Sequence, residues 1–189
     1  MGGHVYTCVL ACALALAACR SGEEPRFRLI DPAESGIQFV NRVEDTEELN
    51  IINYLYFYDG GGVAVGDVNN DDLADIYFTA NRGPNRLYLG RGNLRFEDVT
   101  DEAGVAGRAD WSTGVTMADV NADGLLDIYV STVDSVAGLA STNELFINNG
   151  DGTFTERAEE YGLAFRGYGT QAAFFDYDLD GDLDAFLLN

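Results

Sequence analysis

An acidic segment of nine residues occurs three times in this chain, each time between two apolar runs. The copies read "DVNNDDLAD" at 67–75, "DVNADGLLD" at 119–127 and "DYDLDGDLD" at 176–184. Carboxylates packed this densely repel one another, so a chain that repeats them needs a compensating charge. Positions 1, 3, 5 and 9 are Asp or Asn in every copy: Asp67, Asn69, Asp71, Asp75; Asp119, Asn121, Asp123, Asp127; Asp176, Asp178, Asp180, Asp184.

This spacing predicts one Ca²⁺ in each loop, three in total. Alternate side chains of a tight turn converge on one point, and Ca²⁺ takes six to eight hard oxygen ligands. A main-chain carbonyl at position 7, from Leu73, Leu125 and Asp182, completes the expected ligand set. Mg²⁺ demands stricter octahedral geometry and fits less well. The alternative is three acidic surface turns without metal.

Position 6 of each loop should need a positive φ angle. Gly124 and Gly181 supply it in the second and third loops, whereas the first loop has Asp72. Asp tolerates the left-handed conformation better than most residues but less well than Gly. An EF-hand is not indicated, because its position-12 Glu is replaced by Phe78, Val130 and Leu187.

The acidic loops belong to a longer repeat of 50-odd residues. In its first copy we predict four strands, at Val63–Gly66, Asp75–Ala80, Arg86–Leu89 and Leu94–Val99, with the acidic loop joining the first to the second. A second recurring element places Phe27, Phe96 and Phe154 eight or nine residues before a Gly. Four-stranded units at this period predict an all-β fold of antiparallel β-propeller blades, with a solenoid as the alternative.

Residues 41–59, "NRVEDTEELNIINYLYFYD", interrupt the repeat pattern. The corresponding connections later in the chain are less than half as long. Four aromatic residues fall within "NYLYFY". Two interpretations remain open: the insertion covers the exposed edge of the first blade, or it lines a ligand surface on one rim of the propeller.

The number of repeats is too small for a closed propeller. Closure takes at least four blades, and this chain holds two to three, with the third ending after its second strand. An open stack would expose unpaired strand edges, which natural proteins avoid. We therefore expect the chain to be the N-terminal part of a larger propeller.

Composition excludes several function classes. The net charge of −21 argues against a nucleic-acid partner, because phosphate binding needs basic patches. The chain has no Lys; its one His is His4, and its Cys residues are Cys8, Cys12 and Cys19. After removal of a leader at residues 1–18, no Ser-His-Asp triad, Cys nucleophile, Schiff base or typical zinc site can be built. We therefore expect the protein not to be an enzyme.

The N-terminus predicts export. "VYTCVLACALALAAC" has the length of a signal h-region and is too short to span a membrane as a helix. Its end, "LAAC", resembles the lipobox of bacterial lipoproteins, which implies lipidation of Cys19 and an outer-membrane or cell-surface location. Residues 19–26 would then be a tether. A plain secretory signal and a short buried helix are the alternatives.

Residues 27–189 resemble the FG-GAP/VCBS repeat family, whose calcium loop reads D-x-[DN]-x-D-G-x-x-D. "GGGVAVGDVNNDDLADIYFTAN" and "FEDVTDEAGV" are similar to bacterial relatives of the cartilage acidic protein family, which often carry a C-terminal ASPIC/UnbV domain. The resemblance implies a calcium-bearing propeller of seven or eight blades on an exported protein.

Three functions are compatible with these features. The first is a surface-anchored binding or adhesion module for an extracellular protein or glycan, with structural Ca²⁺. The second is a calcium-dependent polysaccharide lyase or hydrolase, which would need two carboxylates about 5–10 Å apart. The third is a scaffold without a ligand of its own. Trp111, Tyr54 and Tyr168 could stack on sugars in the first two cases.

Overall fold

The computed structural model describes residues 26–189, of which Asp31–Asn189 form one compact unit. The predicted signal peptide and the predicted lipidation site Cys19 lie outside the described residues. Within residues 26–189, no helix is long and apolar enough to cross a membrane.

The described unit consists of three antiparallel sheets and two helical turns. The first sheet has the order β1-β2-β3-β4 and the second β5-β6-β7-β8, and the third pairs β9 with β10. The strands are β1 Val63–Gly66, β2 Asp75–Phe78, β3 Arg86–Gly90, β4 Phe96–Asp98, β5 Ser112–Ala118, β6 Asp127–Thr132, β7 Glu144–Asn148, β8 Phe154–Glu156, β9 Gln171–Phe175 and β10 Asp184–Leu188. The helical turns are α1 Pro32–Ser35 and α2 Thr100–Ala103. The predicted all-β fold of four-stranded blades is confirmed.

Stacking of the sheets builds the core. Alternate residues of a strand point to opposite faces, so β6 sends Ile128 and Val130 towards the first sheet and Tyr129 towards the third. Tyr77 and Leu87 meet the former pair from the first sheet. Each such side chain contributes about 1.5–3 kcal/mol through burial, which is why β6 is apolar on both faces.

The first strands of successive sheets lie side by side. The Thr113 hydroxyl donates to the Gly169 carbonyl at 2.7 Å, and the Thr116 hydroxyl donates to the Ala172 carbonyl at 2.6 Å. The approach is close enough to require glycine, because a Cβ on Gly114 would lie 2.3 Å from the Thr170 carbonyl oxygen. The small-residue runs before each acidic loop therefore serve the packing of neighbouring sheets.

The recurring Phe-to-Gly element is a turn that ends on a left-handed glycine. Gly36 and Gly104 close α1 and α2 with φ angles of 83° and 74°. Gly162 has a φ of 69° at the corresponding point after β8. Glycine is favoured here because the residue that ends a helical turn commonly adopts this conformation.

The insertion at 41–59 packs mainly against the second sheet and not along the edge of the first. Its buried residues Leu49, Tyr54 and Phe57 form a cluster with Trp111, Val133 and Leu139, which flank strands of the second sheet. Val63 and Val65 of β1 remain 58% and 62% exposed. The edge-covering interpretation is therefore wrong for the buried core of the insertion, whose aromatic rings pack around Trp111 and leave the β1 side chains exposed.

Candidate metal centres

Antiparallel pairing closes each acidic loop and brings its two ends together. The residue before position 1 pairs with position 9 in all three sheets: Gly66 with Asp75, Ala118 with Asp127 and Phe175 with Asp184. The first and ninth side chains therefore start from adjacent points of the same ladder. The predicted placement of each loop between the first and second strands is confirmed.

Two residues in each loop adopt the left-handed conformation. Position 6 does so as predicted, with φ angles of 65° at Asp72, 87° at Gly124 and 97° at Gly181. Position 4 does so as well, and the sequence prediction missed it. Its residues are Asn70, Ala122 and Leu179, with φ angles of 56°, 57° and 63°. Only Asn70 carried a local signal, since Asn tolerates this region better than Ala or Leu.

The carboxylate at position 1 is held at the centre of its loop by main-chain N–H groups. Asp67 accepts hydrogen bonds from the amides of Asp71 and Asp72 at 3.1 and 2.8 Å. Asp119 accepts the equivalent pair from Asp123 and Gly124 at 3.0 and 2.9 Å. In the third loop, Asp176 makes the same two bonds at 3.2 Å each. The position-1 carboxylates are thus fixed in one orientation in all three loops.

Positions 3 and 5 face each other in the first two loops. The Asn69 amide nitrogen donates to the Asp71 carboxylate at 3.1 Å, and Asn121 donates to Asp123 at 2.9 Å. The other oxygen of each Asp accepts the main-chain N–H of position 7, at 2.9 Å in both loops. These bonds use one side of each oxygen, and a carboxylate oxygen can accept more than one partner.

The ninth-position Asp is buried in the first two loops. Asp75 and Asp127 are 0% and 1% exposed, and each accepts two main-chain N–H bonds, one from position 2 of its loop and one from the third strand of its sheet. Burial raises the pKa of both carboxyls, and the carboxylates at positions 1 and 5 raise it further, while the two N–H bonds lower it. A bound cation would favour the charged form of these groups.

The third loop gathers three carboxylates at one point. Single oxygens of Asp176, Asp178 and Asp184 lie within 4.8 Å of one another. Two oxygens that bind the same Ca²⁺ at 2.3–2.6 Å are at most about 5.2 Å apart, so this set fits the ion. Asp180 lies outside the group of three. Its charge is the main reason why the pKa of Asp182 is raised, which shows the repulsion within the loop.

The first two loops hold mixed sets of carboxylate and amide oxygens. Position 3 is Asn in both, and no group of three carboxylates within 4.8 Å occurs there in the described part of the chain. Amide and carboxylate oxygens both suit Ca²⁺. The carbonyls of Leu73, Leu125 and Asp182 as seventh-position ligands stay a prediction.

A cavity of about 200 Å³ lies at the opposite end of the first strands from the acidic loops. It is lined by Tyr54, Tyr56 and Asp59 of the insertion, by Trp111, and by small residues just before or near the start of β1, β5 and β9: Gly60, Gly61, Gly62, Thr113, Gly114 and Thr170. Among the residues that the structure describes, Asp59 is the one charged residue that lines it. The pKa of Tyr54 is raised to about 12, mainly by burial and also by the Asp59 charge, so the phenol stays neutral.

Comparison with known proteins identifies the repeat. A model of the FG-GAP-like repeat matches residues 67–130 and 133–187, more than half of the chain. The chain belongs to the FG-GAP-like repeat family. Each matched stretch begins at or before an acidic loop, and the second ends within β10 of the third sheet.

Among curated proteins, this FG-GAP-like chain is similar to cartilage acidic protein 1. Identity is 39% over 72 residues with the Xenopus tropicalis protein and 40% over 72 residues with the human one, in each case 38% of this chain. The Mus musculus protein is 39% identical over 69 residues. The matched stretch spans 11% of the length of each relative. The predicted membership of the FG-GAP repeat family is therefore confirmed, and the predicted resemblance to cartilage acidic proteins is found over this stretch.

Proposed function

We propose that this protein is an exported, calcium-binding FG-GAP module that binds an extracellular ligand and performs no catalysis. The observation that carries the proposal is the set of acidic loops at one end of the sheets, in which position-1 carboxylates are held inward and three Asp oxygens converge within 4.8 Å. Calcium there has a structural role, because it offsets repulsion between residues that the strands must bring together.

Ligand binding is assigned to the rim that carries the insertion. Tyr56 is 56% exposed beside a cavity whose inner wall contains Tyr54 and Trp111. An exposed aromatic ring beside a carboxylate supports binding of a sugar or of a protein side chain, and Asp59 disfavours anionic ligands. The opposite end of the strands is occupied by the acidic loops, so metal and ligand use different surfaces.

The ligand surface is tested with glycan arrays and extracellular-matrix protein arrays. We expect Tyr56→Ala and Asp59→Asn to abolish binding of any hit. The matched control is Asp45→Asn, which lies in the same insertion and bonds Tyr58 at 2.8 Å but does not line the cavity. Equal loss in the control would place the ligand elsewhere on the insertion. Turnover of a bound polysaccharide would contradict the non-catalytic role.

Surface anchoring is proposed through Cys19, which follows "LAA" at the end of the apolar leader. Two or more acyl chains give stable membrane attachment. We expect Cys19→Ser to release the protein from the membrane fraction or to leave it unprocessed. Unchanged processing and retention in this variant would contradict a lipid anchor.

A further inference from the structure

Asn148 connects the first two acidic loops. Its side chain is buried, and its amide nitrogen donates to the Val68 carbonyl at 2.7 Å and to the Leu126 carbonyl at 3.2 Å. Val68 is position 2 of the first loop, and Leu126 is position 8 of the second. The main-chain N–H of Asn148 also donates to the carboxylate of Asp127 at 2.8 Å. One residue therefore touches both loops and a predicted metal ligand.

A second bond joins the tips of the same two loops. The Asn70 amide nitrogen donates to the Gly124 carbonyl at 3.3 Å. Among the hydrogen bonds of residues 26–189, none joins the loop at 176–184 to that at 119–127. The first and second loops are thus linked twice, whereas no hydrogen bond between described residues links the third loop to either of them.

We propose that calcium binding at loops 67–75 and 119–127 is positively cooperative, with Asn148 and Asn70 as the positioning residues that couple them. This inference rests on the proposed calcium-binding function. An ion in the second loop fixes Asp127 and the carbonyls of Gly124 and Leu126, which in turn fixes both Asn side chains against the first loop. The ordering cost of the first loop is then already met when its own ion binds.

Electrostatic repulsion between the two ions would by itself make calcium binding negatively cooperative. An ion in one loop reduces the negative potential that attracts an ion to its neighbour, and this effect weakens as salt screens it. Coupling through hydrogen bonds persists at high ionic strength. The two causes are therefore separable by titration at low and high salt.

The test is calorimetric titration of the whole protein with CaCl₂ in two variants that each keep two loops. Asp176→Asn leaves the linked first and second loops, and Asp119→Asn leaves the unlinked first and third. In Asp176→Asn we expect the second ion to bind at least about fivefold more tightly than the first, after statistical correction. A factor of about five is the lower end of common coupling factors. In Asp119→Asn we expect independent binding.

The inter-loop bond is tested in the Asp176→Asn background by a matched pair of glycine substitutions. Asn70→Gly removes the bond, whereas Ala122→Gly relaxes the same left-handed position of the second loop, which makes no such bond. We expect only Asn70→Gly to lower the coupling factor. If the coupling factor is the same in both glycine variants and in the Asp176→Asn parent, the inference is overturned. Independent binding by the linked pair also overturns it while leaving the proposed function intact, and no calcium heat in any variant overturns the proposed function itself.

Discussion

Asp72 is the residue at which the first loop departs from the other two. It has a φ of 65° at a position where the second and third loops have glycine. We expect Asp72→Gly to tighten calcium binding at the first loop by about fivefold, because it relieves about 1 kcal/mol of backbone strain. Calorimetry of a chain that retains only this loop measures the effect. Equal or weaker binding would mean that the lost negative charge outweighs the improved turn.

Glu144 is a buried carboxylate that sequence analysis did not single out. One of its oxygens accepts the Arg108 main-chain N–H at 2.7 Å, and the other has no hydrogen-bond partner among the described residues. The Asn85 side-chain nitrogen also lacks one. A Cβ on Gly107 would lie 2.7 Å from that oxygen and 2.8 Å from that nitrogen, so the two atoms face the same small space. The pKa of Glu144 is raised to about 7, mainly by burial; the Glu156 charge also raises it, whereas Arg108 lowers it.

The raised pKa of Glu144 predicts a pH dependence of stability. Since the folded value lies above the ordinary value of 4.5, the contribution is present below pH 4.5 and is lost as pH rises through about 7. We expect the free energy of unfolding to fall by roughly 2–3 kcal/mol from this group between pH 5 and pH 8. Urea unfolding of Glu144→Gln should show a flatter profile over this range.

The matched control for that profile is Glu159→Gln, a nearby exposed residue that lines one of the same cavities as Glu144. It should keep the pH profile of the parent protein. An unchanged slope in Glu144→Gln would contradict the assignment of the pH dependence to this carboxyl.

At the scale of elements, the insertion at 41–59 is part of the folded core. Phe57 is fully buried and packs against Trp111 with ring centroids 5.5 Å apart. We expect Phe57→Ala to lower the free energy of unfolding by about 3–5 kcal/mol. The matched control Leu55→Ala, at a side chain that is 76% exposed, should change it by less than about 0.5 kcal/mol. If denaturant unfolding shows an equally small loss of free energy in Phe57→Ala and Leu55→Ala, the insertion is not part of the folded core.

The strands and loops could be predicted from sequence because their signals are local. The strand Val63–Gly66 agrees residue for residue, and the others agree to within a few residues at their ends. Alternating side chains, Gly-rich turns and the acidic spacing each constrain neighbouring residues. The three acidic loops were found for the same reason.

Contacts between distant segments could not be predicted in this way. Asn148 bonds a carbonyl 80 residues away, and the insertion packs on Trp111 and Leu139. Neither contact produces a repeating pattern in the sequence from which it could be predicted. The bonds that the main-chain N–H groups of Gly90 and Asn148 donate to Asp75 and Asp127 were missed likewise, since these donors lie on strands that only the sheet brings beside the loop.

At the scale of the whole molecule, the proposed calcium binding would lower the net negative charge. Three divalent ions add six positive charges and would reduce the formal charge from −21 to about −15. Extracellular calcium modules bind at about 10⁻⁴ to 10⁻³ M. At about 1 mM Ca²⁺ and a dissociation constant near 10⁻⁴ M, one loop adds roughly 1.4 kcal/mol, and three add about 4 kcal/mol. This is a large share of a typical domain stability of about 5–15 kcal/mol.

Thermal unfolding of the whole protein in 1 mM calcium and in excess chelator tests the central claim that the acidic loops bind this ion. We expect the melting temperature to fall clearly when calcium is removed and to return when it is restored. A triple variant with Asp67→Asn, Asp119→Asn and Asp176→Asn should melt at one temperature in both conditions. A melting temperature of the parent protein that does not respond to the chelator would contradict calcium binding by the loops.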